Sequence, residues 1–201
     1  MPTSFLLPCK IDTLIVIIDS FTQGTTRKME TGQLSEFIPA DRIAERVREM
    51  GRSISDDHAE VHELTIVCVL NGAFVFTADL VRQITRPCRI EFINASSYGM
   101  HRCSSGTVKI DHDLKLEGQN VLVVEDIIDT GLTLSRILDE LRRHKPASLK
   151  ICTLLDKSSA RKIPVSVDYT GFTIPELFVA GYGLDAAGLY RELPFITIPQ
   201  A

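Results

Sequence analysis

The sequence predicts an α/β fold: a mostly parallel, twisted sheet with helices on both faces. Three observations predict it. Short, β-branched apolar runs recur at residues 64–70, 89–94, 120–124 and 149–155. Helix-patterned segments fall between or ahead of them, at 41–54, 73–82 and 132–143. Most of the apolar runs are near-continuous rather than alternating, as in strands buried on both faces. Strands that alternate with helices pair in parallel through crossover connections.

The bulk composition agrees with one such domain. The chain has 201 residues, 44% of them hydrophobic and 24% charged. That is ordinary for a folded domain and long enough to bury a substantial core. The formal net charge is −4, from 22 basic and 26 acidic side chains. Broad nucleic-acid binding needs a dense basic surface, so nucleic acid is not an expected partner. Five cysteines, with no Cys-x-x-Cys pair, read as reduced thiols of a cytoplasmic protein. Cys68 and Cys152 sit in apolar runs as core fillers, while Cys9 and Cys103 do not.

Taken in order, residues 1–36 form an extension without periodicity, expected to be poorly ordered. The run Leu14-Ile15-Val16-Ile17-Ile18 is short and flanked by Asp12 and Asp19, so it predicts no membrane span. Met29 precedes the patterned region, which raises the expectation that residues 1–28 reflect a start assigned too far upstream. From residue 37 onward the chain reads as one domain. Ile43, Val47, Met50 and Ile54 fall at spacings of four, three and four, one face of a helix. Residues 64–70 make a strand that Asn71-Gly72 breaks, and 73–82 a helix. The Ser- and Gly-rich stretch 95–107 is a loop of the length that active-site lids have. A short strand is expected near 108–110, then strand 120–124, helix 132–143 and strand 149–155. Short apolar pieces follow near 177–180 and 195–198.

The chemistry concentrates in "VLVVEDIIDTGLTL", residues 121–134. Strand 121–124 delivers Glu125 and Asp126 to the carboxyl edge of the sheet, where open α/β folds bind ligands. Asp129-Thr130-Gly131-Leu132-Thr133 then turns into a helix. Gly131 permits a tight turn, the helix start offers free N–H groups to a phosphate, and the threonine hydroxyls add donors. Ionised carboxylates accept hydrogen bonds from vicinal sugar hydroxyls and stabilise an electron-poor anomeric carbon. Asp129, at the turn, is placed to exchange a proton. A receiver domain or an acid-rich phosphatase also clusters acids at strand ends, but neither explains the Thr-Gly-x-Thr turn behind them. No Gly-x-x-x-x-Gly-Lys occurs, which excludes a Walker-type loop.

This stretch closely resembles the phosphoribosyl-pyrophosphate signature of the type I phosphoribosyltransferases. The blocks "VCVLNGAFVFTADLVR", "SSYG", "LLDKSSARK" and "GFTIPELFVAGYGLDAAGLYREL" narrow the resemblance to the hypoxanthine(-guanine) phosphoribosyltransferases, over roughly residues 37–199. The resemblance implies that family's sheet, with a small hood built from the chain ends. It implies transfer of the 5-phosphoribosyl group from phosphoribosyl pyrophosphate (PRPP) to N9 of hypoxanthine or guanine. The products are IMP or GMP and pyrophosphate, in purine salvage.

Roles follow from the resemblance residue by residue. Glu125 and Asp126 meet the ribose hydroxyls, directly or through Mg²⁺. Asp129 is the general acid/base facing purine N7, and residues 129–133 hold the 5′-phosphate. Lys157 donates to purine O6; being donor-only, it favours an oxo purine over adenine. Phe178 stacks on the base and Val179 offers backbone contacts, although either residue taken alone reads as core. Asp185 lies near the purine and binds Mg²⁺ through water, and Arg191 meets pyrophosphate unless it pairs with its neighbour Glu192.

Asn71 and Gly72 border the pyrophosphate, mainly through backbone and often with a cis peptide bond. Many relatives carry a basic residue where Asn71 stands, so no side-chain role is assigned to it. Ser97 and Tyr98 match the start of a closing loop. His101 and His112 read as solvated. The family commonly assembles as homodimers or homotetramers. Two other readings predict different signals. A xanthine-preferring enzyme would differ in contacts around purine C2, and a PRPP-sensing regulator would need a basic face or an added DNA-binding domain.

Overall fold

A computed structural model describes residues 34–94 and 114–199 of the chain. Ser97, Tyr98, Cys9, Cys103, His101, His112, the run 14–18 and the strand expected near 108–110 lie outside the described residues. The described chain forms β1 (Glu36–Ile38), α1 (Ala40–Asp57), β2 (Leu64–Leu70), α2 (Phe74–Val81), β3 (Cys88–Asn94) and β4 (Asn120–Ile128). It continues with α3 (Leu132–Arg143), β5 (Ser148–Asp156), a single 3₁₀ turn (Ser158–Ala160), β6 (Tyr169–Thr173) and β7 (Ile196–Thr197).

Five strands make one parallel sheet in the order β3-β2-β4-β5-β6. Glu36 and Ile38 of β1 pair antiparallel with Thr197 and Ile196 of β7 in a separate two-stranded sheet, the expected hood from the chain ends. Because every strand of the main sheet runs the same way, Leu70, Asn94, Ile128, Asp156 and Thr173 all reach one edge. Ligands of open α/β sheets bind beyond that edge.

Both faces of the sheet are covered, which explains the continuous apolar runs. Within β4, Leu122 and Val124 pack with Ile43, Val47, Ile54, Phe76 and Leu80 from α1 and α2. The alternate residues Val121 and Val123 pack with Leu134, Ile137, Leu138 and Leu141 from α3. Side chains alternate across a strand, so a strand covered on both faces needs apolar residues at every position. Cys68 and Cys152 are fully buried in this interior, as the sequence predicts.

The strand β4 is longer than its apolar run predicts. It continues through Glu125 and Asp126 to Ile128, because pairing with β5 persists to Ile128↔Asp156. Cross-strand pairing outweighs the local preference of the acids for a loop. Strand β6 was not predicted from the sequence. Its five residues "YTGFT" are too short and too polar to stand out, and they are held by pairing to β5. Arg46 of α1 also donates to the carbonyls of Thr170 and Gly171 at 2.8 and 2.9 Å.

Candidate active site

Four neighbouring chain segments build the site at the carboxyl edge. The first is the end of β4 with the turn behind it. Gly131 has φ +82°, and a Cβ there would lie 2.7 Å from the carbonyl oxygen of Ile163. Only glycine fits a left-handed turn so close to other backbone. α3 starts immediately afterwards at Leu132, so the amides of its first turn are free of helical partners. The turn is braced from behind: the amides of Lys162 and Ile163 both donate to the carbonyl of Thr130 at 3.0 Å.

The acids of β4 are half-buried at the end of the strand. Burial pushes the Glu125 carboxyl well above the usual carboxylate range, and the neighbouring Asp126 charge adds to the shift. Its Oε2 has no hydrogen-bond partner among the described residues. Burial also lifts Asp126, to about 6, against the opposing hydrogen bond from the amide of Ile127 at 2.8 Å. Two half-buried acids without an ion-pair partner are costly. Such an arrangement marks a place where a ligand supplies the missing charge.

The second segment follows β5. Lys157 Nζ lies 3.5 Å from Asp129 Oδ2, with the lysine side chain 10% exposed and the aspartate 50% exposed. The lysine therefore has the acid partner that the linear sequence did not reveal. Just before it, Asp156 pairs with Arg161, and both side chains are largely buried. The sequence reading had no role for these two residues. Their spacing across a 3₁₀ turn is not one that signals a helical ion pair.

The third segment contains residues 178–191. Phe178 is 62% exposed, which removes the core-packing reading and leaves its ring free to stack. Val179, 4% exposed, is in the core, so only its backbone is available to a ligand. Asp185 Oδ1 pairs with Arg191 Nη2 at 2.6 Å, and Asp185 Oδ2 accepts from the amide of Gly188 at 2.8 Å. Arg191 Nη1 donates to the carbonyl of Gly183 at 2.6 Å. Its partner is thus Asp185 rather than Glu192. Both Arg191 and Asp185 bear on the charge of Asp126, the first lowering and the second raising its pKa.

Between the first and third segments lies the fourth, the Asn71–Gly72 turn. The Leu70–Asn71 peptide bond is cis. A Cβ on Gly72 would sit 1.6 Å from Asp126 Oδ2, so only glycine lets this backbone approach the acid. The Asn71 residue itself is exposed. The structure thus gathers Gly72, Asp126, Asp185 and Arg191 at one place, and Lys157 and Asp129 at another along the same edge. Two cavities lie elsewhere. One of about 520 Å³, beside Leu116, Arg143 and Lys145, is at the opposite edge of the sheet. The other, about 410 Å³, reaches the site only at Arg191.

A sheet edge with acids, free helix amides and a Gly-lined turn is the site expected of a phosphoribosyltransferase. The sequence profile of the phosphoribosyl transferase domain matches residues 34–187. The chain is 45% identical over 163 residues to the hypoxanthine phosphoribosyltransferase of Salmonella typhimurium, covering 80% of this chain and 92% of that protein. It is 44% identical over 164 residues to the hypoxanthine-guanine phosphoribosyltransferase of Bacillus subtilis, covering 81% and 91%. A crystal structure of a hypoxanthine-guanine phosphoribosyltransferase from Bacillus anthracis superposes with a TM-score of 0.78 at 44% identity. That match covers 84% of this chain and all of the other. The chain belongs to the hypoxanthine(-guanine) phosphoribosyltransferases of the type I family.

Proposed function

We propose that this edge transfers the phosphoribosyl group of PRPP to N9 of hypoxanthine or guanine, releasing pyrophosphate. The observation that carries the reading is the end of β4. Two half-buried acids there, both with raised pKa, lack an ion-pair partner of their own, and a left-handed glycine turn opens onto free helix amides. A phosphate seats on the amides of 130–133. The ribose that follows it brings hydroxyl donors toward Glu125 and Asp126 and an electron-poor C1 during transfer. Asp129 then lies where purine N7 arrives, and exchanges the proton there. Lys157, held at 3.5 Å from Asp129, donates to O6. Phe178 stacks on the exposed face of the base.

The acids also suit a divalent cation. Glu125 has an unpartnered buried oxygen, and Asp126 is forced toward protonation by burial. Among the described residues, no three acid, His or Cys groups converge into a ready-made cage. Mg²⁺ keeps water and substrate oxygens in its shell, so it needs few protein ligands of its own. Glu125, Asp126 and Asp185 are the residues that would hold it. When bound, it would offset the charge that develops on leaving pyrophosphate. Gly72 and Arg191 border the pyrophosphate, with Ser97 and Tyr98 as closing-loop residues. A second copy of this chain is the proposed partner, as a homodimer or homotetramer.

Incubation with PRPP, Mg²⁺ and each purine, followed by absorbance, tests the reading. Conversion of hypoxanthine and guanine, with adenine inert, is expected. Faster use of xanthine would shift the assignment to a xanthine-preferring enzyme. No turnover with any purine, together with tight duplex DNA binding, would favour a regulator.

A further inference from the structure

We infer that the hydrogen bond between the Tyr182 hydroxyl and Asp79 is a tether that positions the pyrophosphate end of the site. The inference rests on the proposed transferase reading. Tyr182 Oη donates to Asp79 Oδ2 at 2.5 Å, across 103 residues of chain. Asp79 also pairs with the exposed Arg82 through its other oxygen, which leaves Oδ2 for the tyrosine hydroxyl. Tyr182 lies between Gly181 and Gly183, and all three have positive φ: +100°, +50° and +99°. A tyrosine adopts that conformation only when its surroundings impose it. Here its ring is buried and its hydroxyl is held from α2.

The tether ends at the reacting edge from both sides. Asp79 belongs to α2, which begins directly after the Asn71–Gly72 turn, with the amide of Phe74 donating to the carbonyl of Asn71 at 3.4 Å. On the Tyr182 side, a Cβ on Gly183 would lie 2.2 Å from the carbonyl oxygen of Gly72. The backbones of the two turns are therefore in contact. The Gly183 carbonyl accepts from Arg191, which in turn holds Asp185. Gly72, Gly183, Arg191 and Asp185 thus form one assembly, and the bond from Asp79 to Tyr182 clamps its two halves together. The phosphate turn 129–133 belongs to a different assembly, braced by residues 162 and 163.

That separation predicts a selective effect. Releasing the tether loosens the pyrophosphate end and leaves the nucleotide phosphate end in place. In Tyr182→Phe, KM for PRPP should rise three- to tenfold, and so should KM for pyrophosphate in the reverse reaction. KM for IMP in the reverse reaction should stay within twofold. Asp79→Ala, which has no acceptor for the tyrosine hydroxyl, should reproduce the shift. The double variant should add little to either single one, since both remove the same bond. An unchanged pyrophosphate KM in an otherwise active variant overturns the inference. So does a parallel rise in the IMP KM, or fully additive effects. Absence of turnover in the unaltered protein would instead overturn the transferase reading on which it rests.

Discussion

The neighbouring strands β4 and β5 end in opposite electrostatic states. Each is nine residues long and parallel, each has a buried middle and a half-buried end, and each reaches the same edge with an acid. At β5 the acid is answered within the chain: Asp156 pairs with Arg161, with side chains 16% and 14% exposed. At β4 Glu125 and Asp126 meet no such cation among the described residues, and burial holds both carboxyls above their usual range. A buried pair closed by its own partner contributes to structure. Acids left without one wait for a ligand, and the price in stability is paid at the site where chemistry occurs. The comparison separates the scaffold from the working part of one sheet edge.

The largest expected effect comes from the working side. Asp129→Asn keeps the shape and removes the proton-exchanging group. Turnover should fall by roughly 10²–10⁴, the usual worth of general acid–base catalysis. Affinity for PRPP, measured by calorimetry, should change by less than about threefold. A nearly unchanged rate would remove the acid/base role from Asp129.

Next comes the closed pair. Asp156→Asn leaves Arg161 as a buried charge without its partner, and Arg161 Nη1 already lacks one among the described residues. Loss of about 3 kcal/mol of stability is expected, read from urea unfolding. A loss under about 0.5 kcal/mol would place this pair with ordinary surface salt bridges.

Lys157→Ala should lower kcat/KM for hypoxanthine by roughly 10–100-fold, matching a lost charge-assisted hydrogen bond. Discrimination against adenine should narrow at the same time. Full selectivity in this variant would contradict donation to O6.

The smallest effect has the opposite sign. Glu125→Gln removes a carboxyl whose ionised form its surroundings disfavour, so the metal-free protein should gain a little stability at pH 7.5. At this chain length each kcal/mol is worth roughly 2–4 °C in Tm. The pH dependence follows from the direction of the shifts. A carboxyl raised in the folded state favours folding when protonated, and that contribution is lost as pH rises. Asp126, ordinarily near 4 and here about 6, should make the metal-free protein less stable across that window. Titration of Tm against pH in a chelator checks this. A flat profile shared by the Gln variant would mean that the acids are already neutralised by the chain.

Much of the working side was legible in the sequence, and the scaffold was less so. Glu125, Asp126, Asp129 and the Thr-Gly-Leu-Thr turn stand together in 14 residues, and a local motif is read locally. The helix expected over residues 132–143 matches α3, which Gly131 precedes and in whose last turn Arg142 and Arg143 lie. What was hidden depends on partners distant in the chain or outside the spacings that sequence patterns reveal. The extension of β4 to Ile128 needs β5, and β6 needs both β5 and Arg46. Asp129 and Lys157 meet only because two adjacent strands end side by side. Tyr182 reads as one aromatic among apolar neighbours until Asp79 is seen opposite its hydroxyl.

A crystal structure of the protein with IMP and Mg²⁺ bound tests the central claim most directly. The 5′-phosphate should sit on the amides of residues 130–133, with the ribose hydroxyls facing Glu125 and Asp126. Purine O6 should lie within hydrogen-bond distance of Lys157 Nζ. A nucleotide seated away from the end of β4, or one whose base rather than phosphate occupies the turn at Gly131, would contradict the account.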